Sequence, residues 1–219
     1  MKVGRPIEHP AITVPAILQV NDLCFRIPQR ALFTDWSARI QPGVTLVRGG
    51  DGSGKTTLLR LLAGELPADA GQLQVDDIRL GDQPAAYRQE VFWTDPRSDA
   101  FDQLTPVDYF KSLHHLYPRF DEQVLADLIE GLSLAPHMDK FLYMLSTGSK
   151  RKVWLAAAFA SGAAVTLLDE PFAALDKASI GFVKKLLEYA ADHPARAWVI
   201  ADYEAPGDVR LAAIIDLGD

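Results

Sequence analysis

The sequence predicts an α/β fold, a sheet of buried parallel strands flanked by helices, with a helical segment inserted near the middle. Three observations predict it. Ala164–Leu168 and Ala197–Ala201 are continuously apolar, as parallel strands buried on both faces must be. Strand-like and helix-like segments alternate on either side of the middle of the chain, the pattern that builds a parallel sheet. Between Pro106 and Leu145 the pattern turns wholly helical, punctuated by Pro118 and Pro136.

The elements follow in order. Residues 1–12 read as a loose leader with Pro6 and Pro10, charged and without the apolar core of a signal peptide. Ala16–Phe25 is apolar and compatible with a strand. Ser37–Ile40 and Val44–Val47 read as strands split by the Pro42-Gly43 turn. The second of these runs into a glycine-rich loop, Gly49–Gly54, after which Leu58, Leu59, Leu61 and Leu62 give the apolar face of a helix. Gln72–Val75 and Glu90–Trp93 are short strand candidates. Val107–Leu116 and Asp121–Leu132 are helical, with Asp121 expected to cap the second. Lys150–Ala160 and Ala178–Ala191 are helices around the strand Ala164–Leu168, and Ala212–Ile215 is a last strand after Ala197–Ala201.

Composition sets bounds on function. With 219 residues, 48% hydrophobic and 23% charged, the chain has material for a sizeable core. It is expected to form a single domain over 1–219, with a core at 13–96 and 147–219 and an inserted helical subdomain at 97–146. The longest apolar stretch, Val153–Leu168, is interrupted by Ser161 and Gly162 and is too short to span a bilayer. Any membrane role is therefore expected to come through a partner. Cys24 is the only cysteine, so no internal disulfide or cysteine metal cluster is expected; it reads as a small buried apolar residue in a cytoplasmic protein. The net charge of −7 argues against a nucleic-acid surface. The basic run Lys150-Arg151-Lys152 reads as a solvated helix face. None of the five histidines has metal-ligand spacing with supporting neighbours.

Gly49-Gly50-Asp51-Gly52-Ser53-Gly54-Lys55-Thr56 fits G-x-x-x-x-G-K-[ST] in full and sits between a strand and a helix. Successive amides must turn inward on phosphate oxygens, which demands backbone angles that glycine tolerates. The helix beginning near Lys55 adds its positive N-terminal end, with Thr57 in its first turn. The Lys55 ammonium is placed to reach β- and γ-phosphates, and the Thr56 hydroxyl to ligate Mg2+. The strand ending Leu167-Leu168-Asp169-Glu170 supplies two carboxylates. In P-loop NTPases an acid at such a strand end holds magnesium, which points to Asp169. Glu170 is placed to accept a hydrogen bond from an attacking water.

With these motifs the chain resembles the ATP-binding subunits of ABC transporters, from about Ile17 to Ile215. Leu145-Ser146-Thr147-Gly148-Ser149 is similar to that family's Leu-Ser-Gly-Gly-Gln signature. Asp169-Glu170-Pro171-Phe172-Ala173-Ala174-Leu175-Asp176 is similar to its Walker B segment running into the D-loop. The resemblance implies a P-loop NTPase fold with a RecA-like parallel or mixed sheet core, an antiparallel β part at the N-terminus and the inserted helical subdomain. It implies ATP and Mg2+ as ligands, and Phe25 as an aromatic stacking on adenine. It implies a head-to-tail dimer, homo- or heteromeric with another ATP-binding cassette, in which Ser146 and Gly148 reach the γ-phosphate held by the other subunit. It implies a separate membrane permease docked on the helical subdomain, and hence a location on the inner face of the cell membrane.

The chain departs from the family at two places that matter. Asp95 stands where the family has a glutamine that contacts magnesium and water; a carboxylate can ligate the metal but cannot donate a hydrogen bond. Tyr203 stands where the family has a histidine on the γ-phosphate; a phenol donates one hydrogen bond and has no cationic form at neutral pH. Ser149 and Thr147 are milder changes within the signature. The expectation is an ATPase, slow or partner-dependent, that powers a permease of exporter type. Lys-Thr-Thr-Leu after the phosphate loop and the short chain resemble exporter cassettes, including those of multidrug and haem-export assemblies. The competing readings are a soluble ATPase of the same superfamily, and an ATP-gated regulatory or assembly module with little or no hydrolysis.

Overall fold

The structure, a computed structural model, describes residues 16–28 and 30–218. The leader expected over 1–12, and residues 13–15 of the expected core segment, lie outside them.

Strand β1 (Leu18–Ile27) pairs antiparallel with β2 (Arg30–Ile40). The sequence suggested only the last four residues of β2. Its pairing with β1 is interrupted by register shifts between Val20 and Leu23 and again around Phe25, and Asp22 and Asp35 take left-handed backbone angles. Such bulges scramble the alternation that marks a strand in sequence. Cys24 sits in this irregular stretch. It is half-buried, and its sulfur accepts from the Asp35 amide at 3.3 Å, so it is more than a small core residue.

Strand β3 (Gly43–Arg48) is buried along almost its whole length and leads through the glycine-rich loop into α1 (Lys55–Leu62). Four leucines of α1 are fully buried. Next come β4 (Ala70–Val75), which pairs antiparallel with β1, the two-residue β5 (Ile78–Arg79), α2 (Pro84–Glu90) and β6 (Val91–Phe92). Sequence patterning gave no sign of β5 or α2. The first is too short to show a period, and the second buries only Tyr87, whose hydroxyl donates to the Leu62 carbonyl at 2.7 Å.

The helical segment holds α3 (Pro106–Leu116) and α4 (Glu122–Gly131), then two short 3-10 turns at Ala135–His137 and Leu142–Met144. Thr105 caps α3 and Asp121 caps α4, each accepting from an amide three residues on. Helix α5 (Thr147–Ala160) starts three residues before Lys150, because Ser146 caps it by accepting from the Ser149 amide at 3.1 Å. Strand β7 (Val165–Asp169), helix α6 (Lys177–Ala191), β8 (Ala197–Ala201) and β9 (Ala213–Asp216) complete the described residues.

Two sheets result. One is antiparallel in the order β2-β1-β4-β5; the other is parallel in the order β6-β7-β8-β3-β9. Alternation along β8 divides the core. Ala197, Val199 and Ala201 pack with α1 and the antiparallel sheet, while Trp198 and Ile200 pack with α5, α6 and the helical segment. The register that matters for function lies at the strand ends. Val47 of β3 and Asp169 of β7 both stand opposite Ala201 of β8, so three adjacent strands stop level. Side chains just beyond those ends converge on one crevice, where α/β sheets bind ligands.

Gly162, between α5 and β7, has φ +68° and presses against the Arg119 carbonyl, while Arg119 Nε donates to the Gly162 carbonyl at 2.9 Å. Gly162→Ala should lower unfolding stability by roughly 1–3 kcal/mol from the left-handed backbone alone, before any displacement of Arg119 is counted. Chemical denaturation checks this, and a change within experimental error would show that the turn tolerates a side chain.

Candidate functional site

The phosphate loop has the backbone that its sequence demands. Gly52 and Gly54 take φ of +74° and +104°. A side chain on Gly49 would collide with Ser53 Oγ and the Gly218 carbonyl. The Gly218 carbonyl also accepts from the Gly50 amide at 3.1 Å, so the segment after β9 supports the loop from behind. The Lys55 ammonium is buried and turned back onto the loop, donating to the Gly49 and Gly50 carbonyls at 2.6 and 2.9 Å. Ser53 Oγ is buried with no partner among the described residues, a donor waiting for an acceptor.

Asp169 meets this loop from β7. Its Oδ2 accepts from Thr56 Oγ1 at 2.8 Å. Its Oδ1 is buried and has no partner among the described residues. Burial raises the Asp169 carboxyl above its ordinary value, against the opposing effect of the Thr56 hydrogen bond. An orphaned carboxylate oxygen beside a hydroxyl is a donor set that suits Mg2+, so the residues fit the metal.

Glu170, the next residue, lines the same recess as the loop and Lys55, and has φ +46°. A non-glycine residue in that region costs about 1–3 kcal/mol unless its surroundings hold it. Here the clamp is Arg151, whose Nη1 donates to the carbonyls of Asp169 at 2.7 Å and Glu170 at 3.0 Å. The basic run is therefore not a solvated face. Arg151 is buried, Lys150 pairs with Asp102, and Lys152 pairs with Asp176 at 2.7 Å. Composition alone cannot separate these roles; the signal was that the run starts one turn into a helix leading toward paired acids.

Tyr203 follows β8 and reaches the loop from the third strand end. Its hydroxyl is hydrogen-bonded to Asp51 Oδ1, and its ring lies under Lys55 Nζ at 4.3 Å. The bond to Asp51 raises the phenol above its ordinary value and keeps it protonated. The Asp51–Tyr203 pair thus sets an aromatic ring against Lys55.

Of the remaining expected residues only Thr57 lines this recess. Phe25 packs with the core beside α1 and pairs with Phe33; Ile27 and Leu32, not Phe25, line the phosphate recess. Asp95 lines a neighbouring recess instead, and its Oδ1 accepts from the Arg97 amide at 2.9 Å. Arg97, which sequence patterning passed over, lines the phosphate recess with its guanidinium 3.9 Å from Glu170 Oε2. Ser146 and Gly148 lie at the start of α5, where Gly148 packs on the Ala174 carbonyl, and they do not line the recess of their own chain. Thr57 does line it, one residue along α1 from Thr56.

Comparison with known proteins gives the family and the fold. The family described as ABC transporter matches residues 33–173. The chain is 33% identical over 190 residues, 86% of its length, to a cytochrome c biogenesis ATP-binding export protein CcmA of Pseudomonas savastanoi pv. phaseolicola, 88% of which is covered. It is 35% identical to the protein of the same description in Pseudomonas syringae pv. syringae, over 82% of this chain and 86% of that one. A solved ATP-binding subunit of an ABC transporter superposes with a TM-score of 0.76 at 22% identity, over 85% of this chain and 79% of that one.

Asp169 gives a test of this pair. Its carboxyl titrates near 3.8 in the unfolded chain and higher in the folded one. The folded state therefore holds the extra proton in that window, and stability falls as pH rises through it. Without Mg2+ or nucleotide, Asp169→Asn should melt a few degrees above wild type at pH 7.5, and the gap should close as the solution is acidified. Excess Mg2+ should raise the melting temperature of the wild type only. Equal melting at pH 7.5 would mean that the carboxylate is not desolvated.

Proposed function

The chain belongs to the ABC transporter family as an ATP-binding subunit, and on that premise we propose that it hydrolyses ATP to power a separate membrane permease of exporter type. The observation that carries this reading is the Thr56–Asp169 hydrogen bond with Glu170 beside it, which sets a metal-ligand pair against the recess that the phosphate loop and Glu170 line.

The chemistry follows from those residues. Loop amides and the N-terminal end of α1 hold the phosphates of ATP. To engage them Lys55 exchanges the Gly49 and Gly50 carbonyls for β- and γ-phosphate oxygens. Thr56 and Asp169 hold Mg2+, which when bound neutralises charge on the phosphate oxygens. Glu170 accepts a hydrogen bond from a water and turns its lone pair toward the γ-phosphorus. The new O–P bond forms as the bond from the γ-phosphorus to the β–γ bridging oxygen breaks, and the water's proton passes to Glu170 and then to solvent, giving ADP and phosphate. Tyr203 moves off Asp51 to offer its hydroxyl to the γ-phosphate.

The start of α5 supports a dimer. It has a serine cap, a glycine and no acidic residue in its first turn, which suits an anion, yet it lies outside its own chain's recess. A second cassette, the same or a different chain, would bring its ATP there. A recess of about 360 Å³ between the core and the helical segment, with Trp93, Phe101, Leu113 and Leu116 in its wall, supports docking of a permease. No helix among the described residues is long and apolar enough to cross a membrane. The export role in the names of the two Pseudomonas relatives supports the direction of transport.

The Asp51–Tyr203 pair set against Lys55 favours a second reading, an ATP-gated module with little hydrolysis. Steady-state Mg-ATPase across a protein concentration series separates the two. Turnover per molecule should rise with concentration, and Glu170→Gln should reduce it by about a hundredfold or more while nucleotide still binds. Wild-type turnover equal to that of the variant would favour the second reading; no nucleotide binding would overturn both.

A further inference from the structure

Arg97 is an unassigned cation on the nucleotide recess. It follows β6 in a tight turn. Asp95 Oδ1 accepts from the Arg97 amide at 2.9 Å, and the Asp95 carbonyl accepts from the Ser98 amide at 3.0 Å. Pro96 fixes the backbone between them. The result aims the guanidinium into the recess, where Lys55 and Arg97 are the cations among the described lining residues.

The guanidinium is poorly occupied there. Its one carboxylate neighbour, Glu170, is 3.9 Å away, beyond hydrogen-bond reach, and the side chain is 68% exposed. An ion pair so long and so solvated is worth little, so leaving it costs little. A terminal phosphate offers more: a charged, multi-oxygen acceptor that a planar fork of donors can grip at two points. The site also needs such a partner. Asp51 and Glu170 line it with carboxylates, Asp169 stands behind Thr56, and Tyr203 brings no positive charge.

We propose that Arg97 is a phosphate-binding residue that forks onto the γ-phosphate of bound Mg-ATP, and that Asp95 is the positioning residue that aims it. The inference rests on the nucleotide-binding reading and adds a contact specific to the third phosphate.

The test compares binding of Mg-AMP-PNP and Mg-ADP to the full chain by calorimetry. Arg97→Ala should weaken AMP-PNP by roughly tenfold or more, the worth of one charged hydrogen-bonded contact, and ADP by less than about twofold. Arg97→Lys should fall between. Asp95→Ala should lose part of the same preference, while Asp95→Asn, which keeps the turn acceptor, should retain it. An exposed side chain leaves the melting temperature as a control on folding. An equal loss for both nucleotides, or no loss for either, would overturn the assignment while leaving the nucleotide site intact. Failure of the wild type to bind AMP-PNP and ADP would overturn the nucleotide reading and this inference with it.

Discussion

The hydrogen bond from Thr56 Oγ1 to Asp169 Oδ2 joins two segments that are 113 residues apart in sequence. Its existence depends on a single constraint, the level ending of β3, β8 and β7. Parallel pairing sets that level through Val47, Ala201 and Asp169, and parallel pairing needs strands buried on both faces. The two cores on either side of the sheet therefore serve the site as directly as its own side chains do. α1 and the antiparallel sheet cover one face, and α5, α6 and the helical segment cover the other.

Within this frame the site is assembled under tension. Glu170 occupies a left-handed backbone position, Asp169 carries a buried oxygen without a partner, and Ser53 keeps a buried hydroxyl unsatisfied. Each is unfavourable taken alone. Ser53 Oγ and Asp169 Oδ1 are also already desolvated beside the place where phosphate and metal charge would arrive. Arg151 holds the strained turn from a helix on the far side of the sheet, and the segment after β9 holds the loop from behind.

Most of this was legible in the chain of letters. The glycine spacing, the apolar run into Asp169-Glu170 and the punctuation by Pro118 and Pro136 each follow a local rule, and local rules survive folding. What was hidden depends on direction. Bulges in the first hairpin broke the alternation of β2, so most of that strand was invisible, and Ile27 rather than Phe25 lines the recess. Arg151 and Lys152 are neighbours in sequence but point to different partners, because successive helical residues face about 100° apart. Asp95 was readable as a carboxylate but not as an acceptor for its own chain two residues on.

Helix α5 has a consequence for how damage spreads. It is a single stiff body from Thr147 to Ala160, with a capped end suited to a neighbour's anion and, less than two turns on, a guanidinium fastened to the carbonyls of Asp169 and Glu170. In a two-cassette assembly that rod would belong to both composite centres at once. Activity in mixed assemblies of intact and altered subunits would then not average linearly, since a lesion at Arg151 changes the carboxylate of its own centre and the anion-facing helix end of the other. Stoichiometry of inactivation, rather than rate alone, becomes the quantity in which that shared rod is visible.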